Sequence, residues 1–460
     1  MAHNFYECNR NQAFLLPPSL KEWLPEGDLA WFILDAVQQM DLTAYYEKYR
    51  EDGVGQTAYD PGMMVSLLVY AYSTGVRSSR KIEKLCERDI GFRVMTANNA
   101  PDHSTVSRFR QENGEELERI FMEVLQLCAK AGLVKVGVVA LDGSKIKANA
   151  ALDANRTKEH IREEVKKILR EAEEVDAAED KLYGEGVRGD ELPEELRGRE
   201  SRLKRLKECK ERLDREAAEE VAKRKEKLEA RAEEEKESGR KKRGRKPKDP
   251  TEASKKEAKA NVTDPESRIM KTRSGYVQGY NGQVVVTEGQ VILAAEVTME
   301  ENDVKQLSPM VKKAQENVVA VTGEEEKMKV LLADAGYSSE DNFKSADSEG
   351  PEYLVATKKD WKQRKAMREM PAPRGRIPGR LSLRERMDRK LLTKRGRALY
   401  KRRGQMVEPV FGQIKSVRVI DRFMRRGLEA CAQEWKLICA THNLLKLWRS
   451  GRGIPALAAV

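Results

Sequence analysis

The sequence predicts a mixed α/β protein: an all-helical N-terminal region, then a sheet-bearing domain split by a long helical insertion. Three observations carry this. Apolar residues recur at helical spacing through residues 1–132. Two runs of β-branched and small apolar residues, Val136–Leu141 and Lys329–Ala333, read as buried strands, each ending on an aspartate, Asp142 and Asp334. Between them, residues 155–260 switch to a charged composition with heptad spacing.

In the helical region, Asp28 precedes an apolar face of Leu29, Phe32, Ile33, Ala36, Val37 and Met40, as a capping residue should. Asp60-Pro61 starts a second helix that Gly75 ends. Ile82, Leu85, Cys86 and Ile90 define a third. After a break at Ala100-Pro101-Asp102, a helix opens with Ser104, Thr105, Ser107, Arg108 and Arg110. This helix–turn–helix pattern puts hydroxyls and arginines where phosphates and base edges in a major groove would meet them. A capped helix in an all-α bundle reads the same way. Leu117, Ile120, Phe121, Val124, Leu125 and Cys128 give one more helix, stopped by Gly132 just before the strand that carries Asp142.

Beyond that strand, Ile161, Val165, Ile168, Ala172 and Val175 form a heptad seam, broken over residues 184–193. Leu203, Leu206, Leu213, Ala217, Val221 and Leu228 mark a second charged helix. The two read as an antiparallel hairpin, either a solvated spacer or an arm for dimerisation or DNA clamping. The run Gly239–Lys248 cannot bury a core and is expected to be disordered. Its Arg243-Gly244-Arg245-Lys246-Pro247 is similar to a minor-groove AT-hook interrupted by Lys246, and nonspecific phosphate attraction explains it equally.

Strand signals resume at 276–286 and 290–297, a β-hairpin around Thr287-Glu288-Gly289, and Asn302 to Glu316 reads as helix. Residues 356–405 hold 19 Lys+Arg against 4 Asp+Glu, a balance of +15 that exceeds the +11 of the whole chain. Breaks at Gly375, Pro378 and Gly379 predict that part of this segment is loop that orders on a polyanion. A helix is then expected to start at Glu408, with Pro409 in its first turn and Lys415 two turns along the same face. Trp435, Leu437, Ile438, Leu444, Leu445 and Trp448 predict a core C-terminal helix.

Charge and composition narrow the chemistry. The chain has 460 residues, and its pI near 9.1 favours a polyanionic partner over a neutral one. No stretch approaches the ~18 apolar residues of a spanning helix, and the polar N-terminus does not read as a signal peptide. Six scattered cysteines without a C-x-x-C pair suit reduced thiols in a cytosol, and four distant histidines argue against zinc. Any metal would be held by carboxylates, which points to Mg²⁺ or Mn²⁺. Asp142, Asp334 and Glu408 are the candidates. Each has an ordinary alternative: Asp142-Gly143 as a turn, Asp334 as a helix cap, Glu408 as a surface residue among arginines. Taken together, with a basic segment leading into Glu408, they fit two-metal phosphoryl chemistry on DNA.

Several motifs then carry a family resemblance over nearly the whole chain. They are Tyr59-Asp60-Pro61, Gly75–Ile82, Pro101–Thr105, Leu141–Ala150, Asp264–Arg268, Gly279-Tyr280-Asn281, Ala333–Tyr337 and Glu408–Gly412. The chain resembles bacterial insertion-sequence transposases of the DDE class, with an InsH-like helical N-terminal domain and an RNase H-like catalytic domain. The resemblance implies a helix-turn-helix-like DNA-binding domain over 1–132 and a catalytic domain over 133–448. Within the latter lie the 155–260 insertion and the basic DNA-binding segment 356–405, and 449–460 forms a tail. It implies that Asp142, Asp334 and Glu408 are the catalytic, metal-holding triad with two Mg²⁺ or Mn²⁺ ions. Related enzymes carry a Tyr, Arg, Glu, Lys signature; Glu408 and Lys415 match its second half, while Tyr400 and Arg403 lie one residue further upstream than its usual spacing. With Ser104, Thr105, Ser107, Arg108, Arg110, Arg243 and Arg245, these give the expected DNA contacts. The implied activity is cleavage at terminal inverted repeats followed by joining of 3′-hydroxyl ends to target DNA, by a homodimer or larger assembly acting in the bacterial cytoplasm, without membrane association. Two alternatives stay open: a transposase-derived DNA-binding protein without catalysis, and a metal-dependent nuclease that cuts but does not join.

Overall fold

The computed structural model describes residues 19–49, 57–168, 170, 194–239, 258–272, 274–323, 326–345 and 350–454. Its N-terminal part is helical: α1 (Leu29–Gln38), α2 (Thr43–Tyr46), α3 (Pro61–Ser73), α4 (Ser79–Arg88), α5 (Ile90–Met95), α6 (His103–Glu112) and α7 (Gly114–Lys130). The expected starts hold. Asp28 accepts from Ala30 N at 2.8 Å, Asp60 from Met63 N at 2.8 Å, and Asp102 from Ser104 N at 2.8 Å. Pro61 stands at the head of α3, where its missing N–H costs nothing.

The second part is a mixed sheet. β1 (Val138–Lys147) is followed by a two-stranded ribbon, β2 (Asn155–Thr157) with β3 (Lys259–Asn261). Then come β4 (Arg268–Thr272), β5 (Gly275–Thr287), β6 (Ile292–Thr298), β7 (Val330–Ala333) and β8 (Glu352–Val355). The strand order is β4-β5-β1-β7-β8, with β6 also on β5. β5 runs antiparallel to β1, whereas β7 and β8 run parallel, so the C-terminal end of β7 lies beside the middle of β1. This is the mixed α/β architecture the sequence predicts, with the sheet of an RNase H-like domain and a helical N-terminal region.

The ribbon ties the two ends of the insertion together. A helix over residues 158–168, α8, packs against α9 (Glu194–Ser238). Ile161, Leu206, Cys209, Leu213 and Ala260 form a small separate core there. Of the predicted heptad residues, Ile161 is buried and Val165 and Ile168 pack partly buried against this core, whereas Val221, further along α9, is exposed. Residues 171–193 and 240–257, including the AT-hook-like run with Arg243 and Arg245, lie outside the described residues.

The remaining helices are α10 (Leu307–Thr322), α11 (Glu340–Ser345), α12 (Asp360–Glu369), α13 (Leu383–Leu392), α14 (Lys394–Gly412) and α15 (Leu428–Arg449). The basic segment 356–405 has its loop at about 370–382, across the expected breaks Gly375, Pro378 and Gly379, and is helical on either side. Met387, Leu391, Leu392 and Met406 are buried, and those apolar rows hold the helices in place. One expectation is corrected here: Glu408 does not start a helix. It lies deep in α14, and Pro409 sits inside that helix. Pro409 cannot donate to the carbonyl of Gln405, and Gln290 Nε2 from the β5–β6 turn supplies the missing bond at 2.9 Å.

One core runs through both parts. α15 packs against α3, α7 and β6, and its Asn443 bonds both the N–H and the carbonyl of Ile292 at 2.8 and 2.9 Å. The Gly75–Ile82 motif lies at this junction. Gly75 adopts φ +80°, and any side chain on it would collide with the Arg418 carbonyl. Buried Arg77 donates to Glu434 at 3.1 Å and to the Arg422 carbonyl.

Candidate active site

The two strand-tip aspartates meet. Asp142 lies in β1 and Asp334 follows directly on β7, the parallel neighbour, so the sheet register alone brings their backbones together. Between the side chains stands Arg403 from α14. Its Nη2 donates to Asp142 Oδ2 at 2.7 Å and lies 3.9 Å from Asp334 Oδ2. Asp334 also accepts from Gly336 N at 2.8 Å, which makes it the cap of a short helical turn as well.

Burial controls the charge of this pair. It pushes the Asp142 carboxyl up to about 7, against the pull of Arg403 and with the neighbouring Asp334 adding to the rise. Asp334 is raised as well, again chiefly by burial. Burial disfavours the Arg403 cation, but the carboxylates around it more than offset this and raise its pKa. A stability consequence follows. The unfolded Asp142 carboxyl titrates near 3.8 and the folded one near 7. Over that interval the folded chain binds the extra proton, so stability falls as pH rises and levels off above about 7. Chemical denaturation across this range should show that decline, and Asp142→Asn should flatten it.

Glu408 does not join the pair. Its side chain is 64% exposed and lies 3.7 Å from Arg364 of α12, which also pairs with Asp360 at 3.0 Å. Among the described residues, no three acidic, histidine or cysteine side chains converge in a way that could hold a metal ion. Lys415 occupies a π-helical turn over Gln413–Val417 and donates to Ser144 Oγ and to the Lys145 carbonyl, both at 2.6 Å. It thus touches β1 two residues beyond Asp142, while Glu408 faces α12. Burial holds the Lys415 ammonium down to about 8.

A carboxylate that the sequence reading missed lies beside these residues. Asp303 accepts from Asn281 Nδ2 at 2.6 Å and Gln283 Nε2 at 2.8 Å, and Lys145 Nζ lies 3.5 Å away. Its other oxygen approaches Gly336, directly after Asp334. A Cβ at Gly336 would stand 2.9 Å from Asp334 Oδ1 and 3.2 Å from Asp303 Oδ2, so glycine there is what lets the two carboxylates come close. The one signal in the sequence was an acidic residue at the start of a predicted helix, which cannot be told from a cap.

The expected DNA contacts are distributed unevenly. Arg110 is buried and donates to Tyr72 Oη at 3.2 Å, the Arg77 carbonyl at 2.8 Å and Ser79 Oγ at 2.6 Å. It is a joint within the helical region and cannot reach a groove, because three internal acceptors hold its guanidinium. The hydroxyls of Ser104 and Thr105 both donate to Asp102. Arg108 is exposed and Ser107 half-buried. Tyr400 is buried, like Arg403.

Two family models match the chain, a transposase domain (DUF772) over residues 18–112 and a transposase DDE domain over residues 246–444. No curated protein matches, and no solved structure does. Among the described residues no helix is long and apolar enough to cross a membrane.

Proposed function

We propose, from its matches to a transposase domain model and a transposase DDE domain model, that the chain cuts and joins DNA at the ends of its own element. The observation that carries this is the Arg403-bridged pair of Asp142 and Asp334 on adjacent parallel strands, under a segment with a charge of +15. Two desolvated carboxylates offering only hard oxygen donors fit a divalent cation such as Mg²⁺ or Mn²⁺. Asp142 and Asp334 would hold it, with Glu408 as a further ligand once its side chain leaves Arg364. Ions of this kind make water a nucleophile near neutral pH and stabilise the leaving oxygen in an in-line displacement.

The residues of the chain then have separable tasks. In the first step a water oxygen bonds to phosphorus at the element's end and the P–O3′ bond breaks. The 3′-oxygen takes up a proton and the other fragment keeps a 5′-phosphate. In the second, that 3′-hydroxyl attacks a phosphodiester of target DNA and displaces another 3′-oxygen. Arg403 bridges the two partly exposed carboxylates before DNA arrives, and it is placed to turn towards a phosphate. Lys415, fixed against Ser144, presents its ammonium beside β1. The exposed arginines of α12 to α14 bind backbone phosphates, and Ser107 and Arg108 of α6 contribute to recognition of the terminal repeats. Both ends must be held together, which calls for a dimer or larger assembly.

The test is cleavage of a duplex copied from the DNA that flanks the reading frame. Purified protein should cut it at the repeat ends with Mg²⁺ or Mn²⁺ and not with a chelator. Metal binding itself should raise the melting temperature with Mn²⁺, and Asp142→Asn should remove most of that rise. Because protons compete at a carboxyl held near 7, Mn²⁺ affinity should strengthen as pH rises through that value. Affinity for the duplex should also fall steeply with salt, by about 10³–10⁵ between 50 and 200 mM if 6–10 phosphates are contacted. A nearly flat salt response would contradict the role given to 356–405.

A further inference from the structure

Asp303 has no part in the reaction as described above, and helix capping does not account for it. It precedes the helical turn Val304–Gln306 that leads into α10, but its side chain makes no cap bond. An aspartate at that position ordinarily directs its carboxylate to the free N–H groups of the helix. This one turns to the sheet. Oδ1 accepts from Asn281 Nδ2 at 2.6 Å and from Gln283 Nε2 at 2.8 Å, and Oδ2 accepts no hydrogen bond. The Tyr337 hydroxyl donates to Gln283 Oε1, which leaves the amide nitrogen of Gln283 to face Asp303. Asn281, Gln283 and Tyr337 are buried, so the support is rigid. Asn281 and Tyr337 come from two of the motifs noted in the sequence, Gly279-Tyr280-Asn281 and Ala333–Tyr337, and both bear on this carboxylate.

Two glycines open its way to the aspartates. Gly143 directly follows Asp142, and a Cβ there would collide with Gln283 Nε2 and stand 2.7 Å from Asp303 Oδ1. Gly336 closely follows Asp334, and a Cβ there would stand 3.2 Å from Asp303 Oδ2. Neither glycine has a positive φ, so space and not backbone freedom is what each supplies. Asp303 is close enough to both tips that, behind burial, its charge helps to raise the Asp142 and Asp334 carboxyls. A second polar atom is left over at the same spot. Asn281 Oδ1 is buried without a partner and lies 3.0 Å from the point over Gly143 that Asp303 Oδ1 approaches. A buried amide oxygen of this kind calls for a donor.

The chemistry of this edge identifies what it faces. Two neutral amides and Lys145 Nζ, at 3.5 Å, offset the Asp303 charge only in part. Fixed oxygen acceptors with charge left over, beside two carboxylates, suit a divalent cation that keeps part of its water shell. Among the described residues the three carboxylates do not converge closely enough to grip one ion together, so Asp303 reaches it through water. Resting on the function proposed above, we propose that Asp303 is a positioning residue of the same site: with Asn281 it accepts hydrogen bonds from the hydration shell of the cation that Asp142 and Asp334 hold. Such outer partners orient the groups that touch a metal ion and tune its affinity. The amides, Tyr337 and the two glycines then have one purpose, which is to hold a third carboxylate near the pair before DNA or Glu408 arrives.

The experiment is a titration of the full chain, free of DNA, with Mn²⁺, following the electron paramagnetic resonance signal of the unbound ion. Asp303→Asn should weaken Mn²⁺ binding by about 10–100-fold, the usual effect of losing an outer partner of a metal site. The metal-free variant should melt within a few degrees of the parent chain. Asn281→Leu replaces a buried amide whose oxygen has no partner by an apolar side chain of similar size, so it should fold. It should weaken Mn²⁺ several-fold, because the carboxylate stays but loses one of its two amide donors and the neighbouring acceptor. A purely structural Asp303 would lower the melting temperature and leave the Mn²⁺ affinity of the folded variant as it was. Unchanged affinity in either variant that folds therefore overturns the role of Asp303, while Asp142 and Asp334 keep theirs. Loss of the fold in both variants overturns it too, by making the cluster structural. A parent chain that binds no Mn²⁺ would sink the reading of Asp142 and Asp334 themselves, and Asp303 with it.

Discussion

Asp142→Ala and Asp334→Ala each reduce cleavage of flanking-end duplex by at least about a thousandfold, while the chain stays folded. The magnitude follows from the chemistry. A carboxylate-held divalent ion supplies several kcal/mol of transition-state charge stabilisation, and each 1.36 kcal/mol is a factor of ten in rate. The two losses should not add, because both carboxylates serve one site. Folding survives because either single change removes a carboxyl that burial makes costly to ionise and still leaves the buried Arg403 cation the other aspartate as its partner. Thermal melting of the purified variants checks the fold, and a gel-based cleavage assay reads the rate. Robust cutting by either alanine variant would move the active site elsewhere. Glu408→Ala should show a loss of similar kind if its side chain swings in from Arg364, and a negligible one if it remains at the surface.

Glu434→Ala destabilises the whole chain by about 3–5 kcal/mol, the range for removing one partner of a buried ion pair. Glu434 is 2% exposed. It accepts from Arg77 at 3.1 Å, from Met424 N at 2.9 Å and from Arg425 N at 3.1 Å. Without it, Arg77 is left as a buried cation with only carbonyl partners, and the segment before α15 loses its backbone acceptor. Arg77 belongs to the helical N-terminal region and Glu434 to the C-terminal helix, so the damage should cross between them. Urea denaturation followed by tryptophan fluorescence and by far-UV circular dichroism should give coincident, shifted transitions. An early transition confined to the N-terminal helices would show instead that the two parts fold independently.

Periodicity and end signals carried much of the fold. Asp28, Asp60 and Asp102 cap the helices that their positions announced, because a short acceptor ahead of an apolar face has few other uses. The two buried strands with an aspartate at the tip were legible for the same reason: β-branched runs need a core on both faces. Their meeting was also foreseeable in outline, since a sheet joins distant strands. What the sequence could not give was anything set by long-range packing. Arg110 read as a groove contact because exposed and buried arginines look alike in a sequence, and only the arrangement of Tyr72, Arg77 and Ser79 around it decides. Glu408 seemed to begin a helix because Pro409 follows it, and the remedy for that proline is a glutamine over a hundred residues away. Asp303 gained its place beside Asp334 through Asn281, Gln283 and the bare Gly336. Local chemistry therefore determined which elements form and where the carboxylates are delivered. Tertiary structure decided which charges are buried, which are free for DNA, and how Arg403 comes to stand between the two aspartates, because desolvation and pairing depend on neighbours that no local window contains.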